Sequence, residues 1–176
     1  MTILVHNYIG IDDETLRLAE AEADEIFRQA GVEVGWQLCY PASNLPENDC
    51  PEDSPSTPYL RFVPRFRSVK GQVPADSMGY STGDMMTVSW AEAENVARSG
   101  AGPVSEVLGL IIVHEFGHLL LGGAHSLSGI MRARWGSNDW QLAHQGRLVF
   151  LPSEAEHLRQ ELRNRSQTAM AEGRRQ

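Results

Sequence analysis

Three ionisable side chains interrupt an otherwise apolar segment of this sequence. Residues 104–121 read Val-Ser-Glu-Val-Leu-Gly-Leu-Ile-Ile-Val-His-Glu-Phe-Gly-His-Leu-Leu-Leu, and beyond the first turn only His114, Glu115 and His118 are polar. A segment that is apolar nearly all round predicts a helix buried inside the domain. On such a helix His118 lies about 40° and Glu115 about 100° from His114 around the axis, so the three side chains share one arc.

These three residues have the types and spacing of a catalytic zinc site. Two histidines four positions apart on a helix can both bind one Zn²⁺. Glu115, one position after the first histidine, would miss the metal but would reach a water bound to it and accept its proton. The five-residue pattern HExxH also arises by chance on helices. Because burying three uncompensated ionisable groups is costly, its occurrence on a buried helix favours the metal site.

A catalytic zinc site also needs a third protein ligand and one open position. His125 is the nearest candidate, seven residues beyond His118, and Gly122-Gly123 allows the chain to reverse between them. A histidine in a surface turn is the alternative interpretation of His125. The other candidates for a third ligand are carboxylates further along the chain: Asp139, Glu154 and Glu156.

The stretch from His114 to His125, followed by Ser128-Gly129-Ile130-Met131, resembles the metzincin zinc peptidases. These have an extended HExxHxxGxxH motif and then a methionine-containing turn beneath the metal. The resemblance implies that His114, His118 and His125 are zinc ligands and that Glu115 is the general base. It also implies that Met131 is the turn methionine, for which ordinary core packing is the alternative.

The chain departs from the metzincin pattern in its spacing. That pattern would place Gly at position 121 and His at 124, where this chain has Leu121 and Ala124. His125 therefore comes one residue late, and the two glycines at 122 and 123 could absorb the additional residue in the turn. No tyrosine follows Met131, so the tyrosine ligand of some metzincin subfamilies is absent.

The elements that must position these residues can be predicted from the hydrophobic pattern. The first half of the chain predicts a strand at 2–9, a helix from Asp12 or Asp13 to about Ala30, and strands at Val32–Tyr40 and Tyr59–Val63. The second half predicts an extended segment around Ser77–Ser81, a strand at Met85–Trp90, a helix over 104–121, irregular chain to about residue 140 and a last helix from near Ser153.

This order predicts one α/β (α+β) domain around a mixed sheet, and the resemblance to the metzincins implies that the domain is of the metzincin or zincin-like type. We expect a mixed twisted sheet with two long helices in an upper subdomain, residues 1–122. A small, mostly irregular lower subdomain, about 123–165, would end in a helix, and 166–176 would form a flexible tail. In metzincins the edge strand above the cleft pairs with an extended substrate. Carried over, that strand is about Met78–Ser81, with Gly79 and Tyr80 as substrate-binding residues.

Composition limits the partners. The net charge of −8 argues against nucleic acid, which requires a positive surface. No apolar run approaches the roughly 20 residues of a membrane span. The N-terminus does not read as a signal peptide, so the protein is cytoplasmic or is a secreted protein without its targeting segment.

Cys39 and Cys50 could form a disulfide or remain two thiols. The oligomeric state stays open.

The sequence thus predicts a zinc-dependent endopeptidase acting on a peptide or protein. One alternative is a catalytically inactive, zinc-stabilised binding domain whose site is closed by Cys39, Cys50 or Asp139. Another is a zinc amidase acting on a non-protein substrate. Glu115 favours an enzyme, because a purely structural site does not need it. Arg132 and Arg134 could select acidic substrates, although solvated surface charge also explains them.

Overall fold

The structure is a computed structural model that describes residues 1–39, 57–66 and 76–173, with side chains up to residue 167. Its elements in chain order are β1 (Thr2–His6), α1 (Asp13–Gln29), β2 (Gly35–Cys39), β3 (Tyr59–Val63), β4 (Gly79–Thr82), β5 (Met85–Ser89), α2 (Trp90–Val96), α3 (Val104–Leu121), α4 (Ser137–His144) and α5 (Pro152–Gly173). A π-helical turn, Ala97–Ala101, joins α2 to the break before α3.

The strands form one mixed sheet in the order β2-β1-β3-β5-β4. The first four strands of that order run parallel to their neighbours, and β4 runs antiparallel to β5. Strand β4 therefore lies at an edge of the sheet. This architecture confirms the predicted α/β fold class with a mixed sheet and two long helices, α1 and α3.

The main core lies between the sheet and these two helices. Alternate residues of three central strands are almost fully buried: Ile3, Val5, Leu60, Phe62, Met86 and Val88. Helix α1 approaches α3 closely at Gly109, where an added Cβ would lie 2.7 Å from the backbone oxygen of Ala19. Phe27 of α1 packs edge-on against Phe116 of α3, with ring centroids 4.8 Å apart. Helix α3 is thereby held firmly at its middle.

Helix α3 is also the one helix, among the residues that the structure describes, that is long and apolar enough to cross a membrane. Length and composition are the only grounds for that possibility. In the folded protein 61% of this apolar segment, Val104–Leu121, is buried. The burial fits the core helix that the apolar pattern predicts.

Several boundaries differ from the sequence predictions. The predicted strand at Met85–Trp90 ends at Ser89, whose hydroxyl accepts from the backbone N–H of Glu92 and caps α2, a helix that the prediction missed. Serine followed three residues later by glutamate is a known start signal for a helix. Helix α4 likewise lies partly within the segment predicted to be irregular.

Other elements begin or end at residues that differ from the predicted ones. β1 ends at His6 instead of residue 9, and β2 begins at Gly35 instead of Val32. Helix α5 begins at Pro152 and continues through Gly173, past the start of the predicted flexible tail at 166. That stretch contains alanine, methionine, glutamine and glutamate, which favour helix. The predicted division into two subdomains stays a prediction, and Cys50 lies outside the described residues.

Candidate metal centre

Helix α3 brings two histidine side chains together by its own periodicity. His114 and His118 lie one turn apart, and their Nε2 atoms are 3.0 Å from each other. The imidazole planes are nearly perpendicular, at 82°. His114 is buried, whereas His118 is only partly so. The arrangement directs both Nε2 atoms to one point at the surface of the helix.

His125 completes a group of three. Its Nε2 atom lies 3.2 Å from Nε2 of His118, and the nitrogen atoms that the three histidines offer all lie within 4.8 Å of one another. Three ligands around tetrahedral Zn²⁺ with zinc–nitrogen bonds of about 2.0–2.1 Å would have nitrogen–nitrogen distances of roughly 3.4 Å. The donor set therefore fits a zinc ion in both its chemistry and its spacing. Helix α3 ends at Leu121, and the φ of +85° at its C-cap residue Gly122 starts the reversal that returns His125 to the helix.

Backbone oxygens orient the two helical imidazoles from behind. Nδ1 of His114 donates to the Ile130 carbonyl at 2.8 Å, and Nδ1 of His118 donates to the Gly122 carbonyl at 2.9 Å. These bonds assign the N–H to Nδ1 and leave Nε2 as the free lone pair. Carbonyl partners of this kind fix the tautomer and orientation of histidine ligands. Both residues are thus arranged to offer Nε2 to a metal.

The surroundings favour the neutral form of the histidines that a metal requires. Burial lowers the pKa of His114 to about 4 from an ordinary value of 6.5, and the neighbouring His118 and His125 act in the same direction. Burial, followed by the charge of His118, also lowers the pKa of His125. Because only the neutral imidazole binds a metal ion, protonation competes less at these positions than at a histidine with an ordinary pKa.

Glu115 lies against strand β4 rather than within the histidine group. Its side chain is buried, and Oε2 accepts a hydrogen bond of 2.6 Å from the Ser81 hydroxyl. Burial raises the pKa of Glu115 from 4.5 to about 7, while the bond from Ser81 acts in the opposite direction. A carboxyl group whose pKa lies near neutrality can both accept and release a proton at physiological pH.

A loop from residue 122 to 136, here named the ligand loop, carries the third histidine. Ser126 N donates to the Met131 carbonyl at 2.9 Å, and Ile130 N donates to the Val149 carbonyl at 3.0 Å. Between them Gly129 has a φ of +77°, and an added Cβ would lie 2.8 Å from the oxygen of Val149. The turn therefore requires glycine at this position.

Met131 packs against helix α3 at Gly117, the residue before His118. It is 1% exposed, and a Cβ added at Gly117 would overlap its Sδ atom. The glycine inside HExxH thus leaves room for the methionine. Trp135 encloses the same region, because its ring lies edge-on to His114 at 5.6 Å and its Nε1–H donates to the Ile130 carbonyl at 3.2 Å. The role of turn methionine that the resemblance implies for Met131 stays a prediction.

The carboxylates considered as alternative third ligands have other partners. Asp139 Oδ2 accepts from Arg132 at 2.7 Å and from the backbone of Gly136 at 2.8 Å. Glu154 accepts hydrogen bonds from the Ser126 hydroxyl and the Leu151 backbone. Glu156 pairs with Arg159. None of the three belongs to the metal-binding group formed by the described residues.

A cleft of about 780 Å³ opens at the histidine group. Its walls include both predicted substrate-binding residues, Gly79 and Tyr80, and also Arg132 and Arg134. Ser81 lines it too, although the sequence predicts no more for this residue than a place in the edge strand. The sequence gives no direct signal for the role of Ser81, because its contact with Glu115 depends on how β4 crosses α3.

The solved structures to which this chain is similar include two archaemetzincins and a zinc-dependent peptidase. The chain is similar to archaemetzincin from Methanopyrus kandleri, with a TM-score of 0.60 and 15% identity over 93% of this chain and 96% of that one. It is also similar to archaemetzincin from Archaeoglobus fulgidus, solved with malonate, with a TM-score of 0.56 and 18% identity over 89% of this chain and 99% of that one.

A zinc-dependent peptidase from Methanocorpusculum labreanum has the fold as well, with a TM-score of 0.55 and 13% identity over 90% of this chain and 100% of that one. No family model and no curated protein matches the sequence. At these identities the likeness shows the fold. The chain therefore has a metzincin-like architecture, and its three-histidine group is compatible with a zinc site.

Proposed function

We propose that this protein is a zinc-dependent endopeptidase with its active site at the histidine group. The observation that carries the proposal is the convergence of three histidine side chains in a cleft that also contains a buried carboxylate, Glu115. The fold, which is that of zinc-dependent peptidases, supports the same conclusion.

The donor set favours a catalytic site over a structural one. Structural zinc sites are closed by four protein ligands, whereas catalytic sites use three and keep a position open. Among the described residues the group has three members and no fourth His, Cys, Asp or Glu joins it. Cys50 lies outside those residues. The inactive binding domain is therefore the less favoured reading, and it becomes one outcome of the experiment below.

In the proposed mechanism His114, His118 and His125 would hold a zinc ion through Nε2. Bound there, the ion would lower the pKa of a water ligand and would polarise the scissile carbonyl. Glu115 accepts the proton that the attacking water loses and then delivers it to the nitrogen of the leaving amine. Each peptide bond cleaved consumes one water and yields one carboxylate and one protonated amine, so no covalent enzyme intermediate is needed.

The cleft and the edge strand support a peptide as the substrate. β4 forms one rim of the cleft and lies at the sheet edge, where an extended chain could add as a further strand. Gly79 and Tyr80 would then contact the substrate. A cleft of this size is typical of binding sites for small ligands and short peptide segments. A non-protein amide would meet the same catalytic groups and is the alternative substrate.

The test is cleavage of a diverse quenched-fluorescent peptide library by zinc-loaded protein. Wild type should cleave, and both a chelator and Glu115→Gln should abolish cleavage, with a loss of about 100- to 10,000-fold for removal of a general base. Zinc content is measured in parallel. Glu115→Gln should keep stoichiometric zinc, since Glu115 is not a ligand, and loss of the metal in this variant would refute its role as general base.

His144→Gln provides a matched control, because His144 lies outside the cleft lining and pairs with Glu106. It should retain both zinc and cleavage. Wild-type protein that binds zinc but cleaves no peptide would favour the binding domain or the amidase. Wild-type protein that binds no zinc would refute the proposal.

A further inference from the structure

Glu115, the proposed general base, accepts a hydrogen bond from Ser81 of the edge strand β4, and the proposed mechanism gives Ser81 no role. The Ser81 hydroxyl lies 2.6 Å from Oε2 of Glu115 and 2.9 Å from the backbone oxygen of the same residue. A hydroxyl has one proton, so it can donate to only one of these oxygens at a time. When Glu115 is a carboxylate, the charge-assisted bond to Oε2 is the stronger of the two. This single contact ties the catalytic side chain to β4.

Gly79 forms the other side of the same contact. An added Cβ at Gly79 would overlap Oε1 of Glu115. Because side chains alternate along a strand, Gly79 and Ser81 face α3 together, and Tyr80 between them faces away. The carboxyl group therefore lies in a small pocket on β4, here named the Glu115 pocket. The missing side chain of Gly79 provides its space, and Ser81 provides its hydrogen-bond donor. This arrangement leaves Glu115 little rotational freedom.

The backbone of these two residues is directed to the outer edge of the sheet that the described strands form. Ser89 N donates to the Met78 carbonyl at 2.9 Å, and the register pairs Tyr80 with Thr87. Hydrogen-bonded and non-bonded positions alternate along an antiparallel pair. Met78 and Tyr80 thus bond towards β5, and Gly79 and Ser81 offer their N–H and C=O groups outward. A peptide that pairs with this edge would bond to the same residues that hold Glu115.

We propose that Ser81 is a positioning residue that fixes the carboxylate of Glu115 and links it to the strand on which an extended peptide docks. The inference rests on the proposed peptidase function of this site. Ser81 acts through Glu115 and through the geometry of the strand. Loss of its hydroxyl should therefore slow the chemical step while leaving substrate affinity and zinc binding almost unchanged.

The experiment compares four variants of the zinc-loaded full chain. Ser81→Ala removes the hydroxyl, and Ser81→Thr and Ser81→Val form a matched pair of nearly equal shape in which only threonine can donate. Both β-branched residues suit a strand. Thr82→Ala, which removes an exposed hydroxyl from the next residue of β4, is the control. The pair of β-branched variants decides the question even where Ser81→Ala does not fold.

We expect kcat to fall roughly 10- to 100-fold in Ser81→Ala and Ser81→Val, in line with the loss of one hydrogen bond to a charged group. KM should stay within about twofold, since uniform binding is unchanged. Ser81→Thr and Thr82→Ala should stay close to wild type. Equal kcat for threonine and valine at position 81, or a loss carried entirely by KM, would overturn the proposal.

A second readout is independent of turnover. A crystal structure of the metal-free wild type should show Glu115 in the Glu115 pocket, bonded to Ser81. A crystal structure of metal-free Ser81→Val should show Glu115 turned away from β4 or in several rotamers. An unmoved Glu115 in Ser81→Val would overturn the positioning role. A wild type that cleaves no peptide would instead defeat the proposed function, and the crystal structures would still decide whether Ser81 holds the carboxylate.

Discussion

Helix α3 and the ligand loop hold their histidines by different means. On α3 the helical repeat brings the Nε2 atoms of His114 and His118 to 3.0 Å from each other, and burial of the surrounding apolar residues fixes the helix. His125 lies on irregular chain that is exposed for most of its length, and it reaches the group through backbone bonds from Ser126 and Ile130. One half of the site is thus built by local structure and the other by tertiary contacts.

The two halves also depend on each other at two points. The Ile130 carbonyl of the loop orients His114 on the helix, and Met131 of the loop packs into the space left at Gly117. Because the loop alone has few buried apolar side chains, we expect it to be the part of the site that a bound metal stabilises most. The helix should be almost indifferent to the metal.

The largest expected effect is therefore on the loop when zinc is removed. Hydrogen exchange of the Ser126, Ile130 and Arg132 amides should accelerate in the presence of a chelator by up to about 1000-fold, the factor for a ligand present at 1000 times its Kd. The amides at the middle of α3 should keep their protection. Equal acceleration in the helix and the loop would show that the two halves open as one unit.

The same contrast explains how far the sequence could predict the molecule. The apolar pattern of 104–121 predicts the helix with its observed ends, because burial and periodicity are local properties that a sequence displays. The pairing of Gly79 and Ser81 with Glu115 could not be predicted, since it depends on the crossing of β4 over α3. The partners of Asp139 and Glu154 depend in the same way on the fold of the loop.

Ionisation of Glu115 on helix α3 should lower the free energy of unfolding, a cost that the ligand loop does not carry. Burial raises the pKa of Glu115 to about 7 in the folded protein, against an ordinary value of 4.5. The neutral acid is thus favoured by folding. The contribution of Glu115 to the free energy of unfolding is therefore greatest below pH 4.5. It is lost as the pH rises through 7, where the carboxyl group ionises in the folded state as well.

Metal-free Glu115→Gln, whose side chain stays neutral, should consequently be more stable than wild type at pH 8 by about 3 kcal/mol, the value of the pKa shift at 1.36 kcal/mol per unit. At pH 4.5 the two proteins should be nearly equal. Urea unfolding with a chelator at both pH values measures the difference. A difference that does not change with pH would contradict the raised pKa.

The smallest effect tests the contact between the two halves. Alanine normally stabilises a helix relative to glycine, but at Gly117 the new Cβ would overlap Met131 Sδ and lie 3.1 Å from Phe150 Cε1. Gly117→Ala should therefore destabilise the protein by about 1–2 kcal/mol, the usual cost of overpacking. It should also speed exchange in the ligand loop more than in α3, because the loop is the part that can yield.

Gly123→Ala is the matched control, since an added Cβ there meets nothing within 4 Å, and its stability should equal that of wild type. Combining Gly117→Ala with Met131→Ala makes the test sharper. The Cβ then has room, so the double variant should lose less stability than the two single changes added together, as neighbours in contact do. Strict additivity would mean that Gly117 and Met131 do not press against each other, and that the loop is held to the helix by its backbone bonds alone.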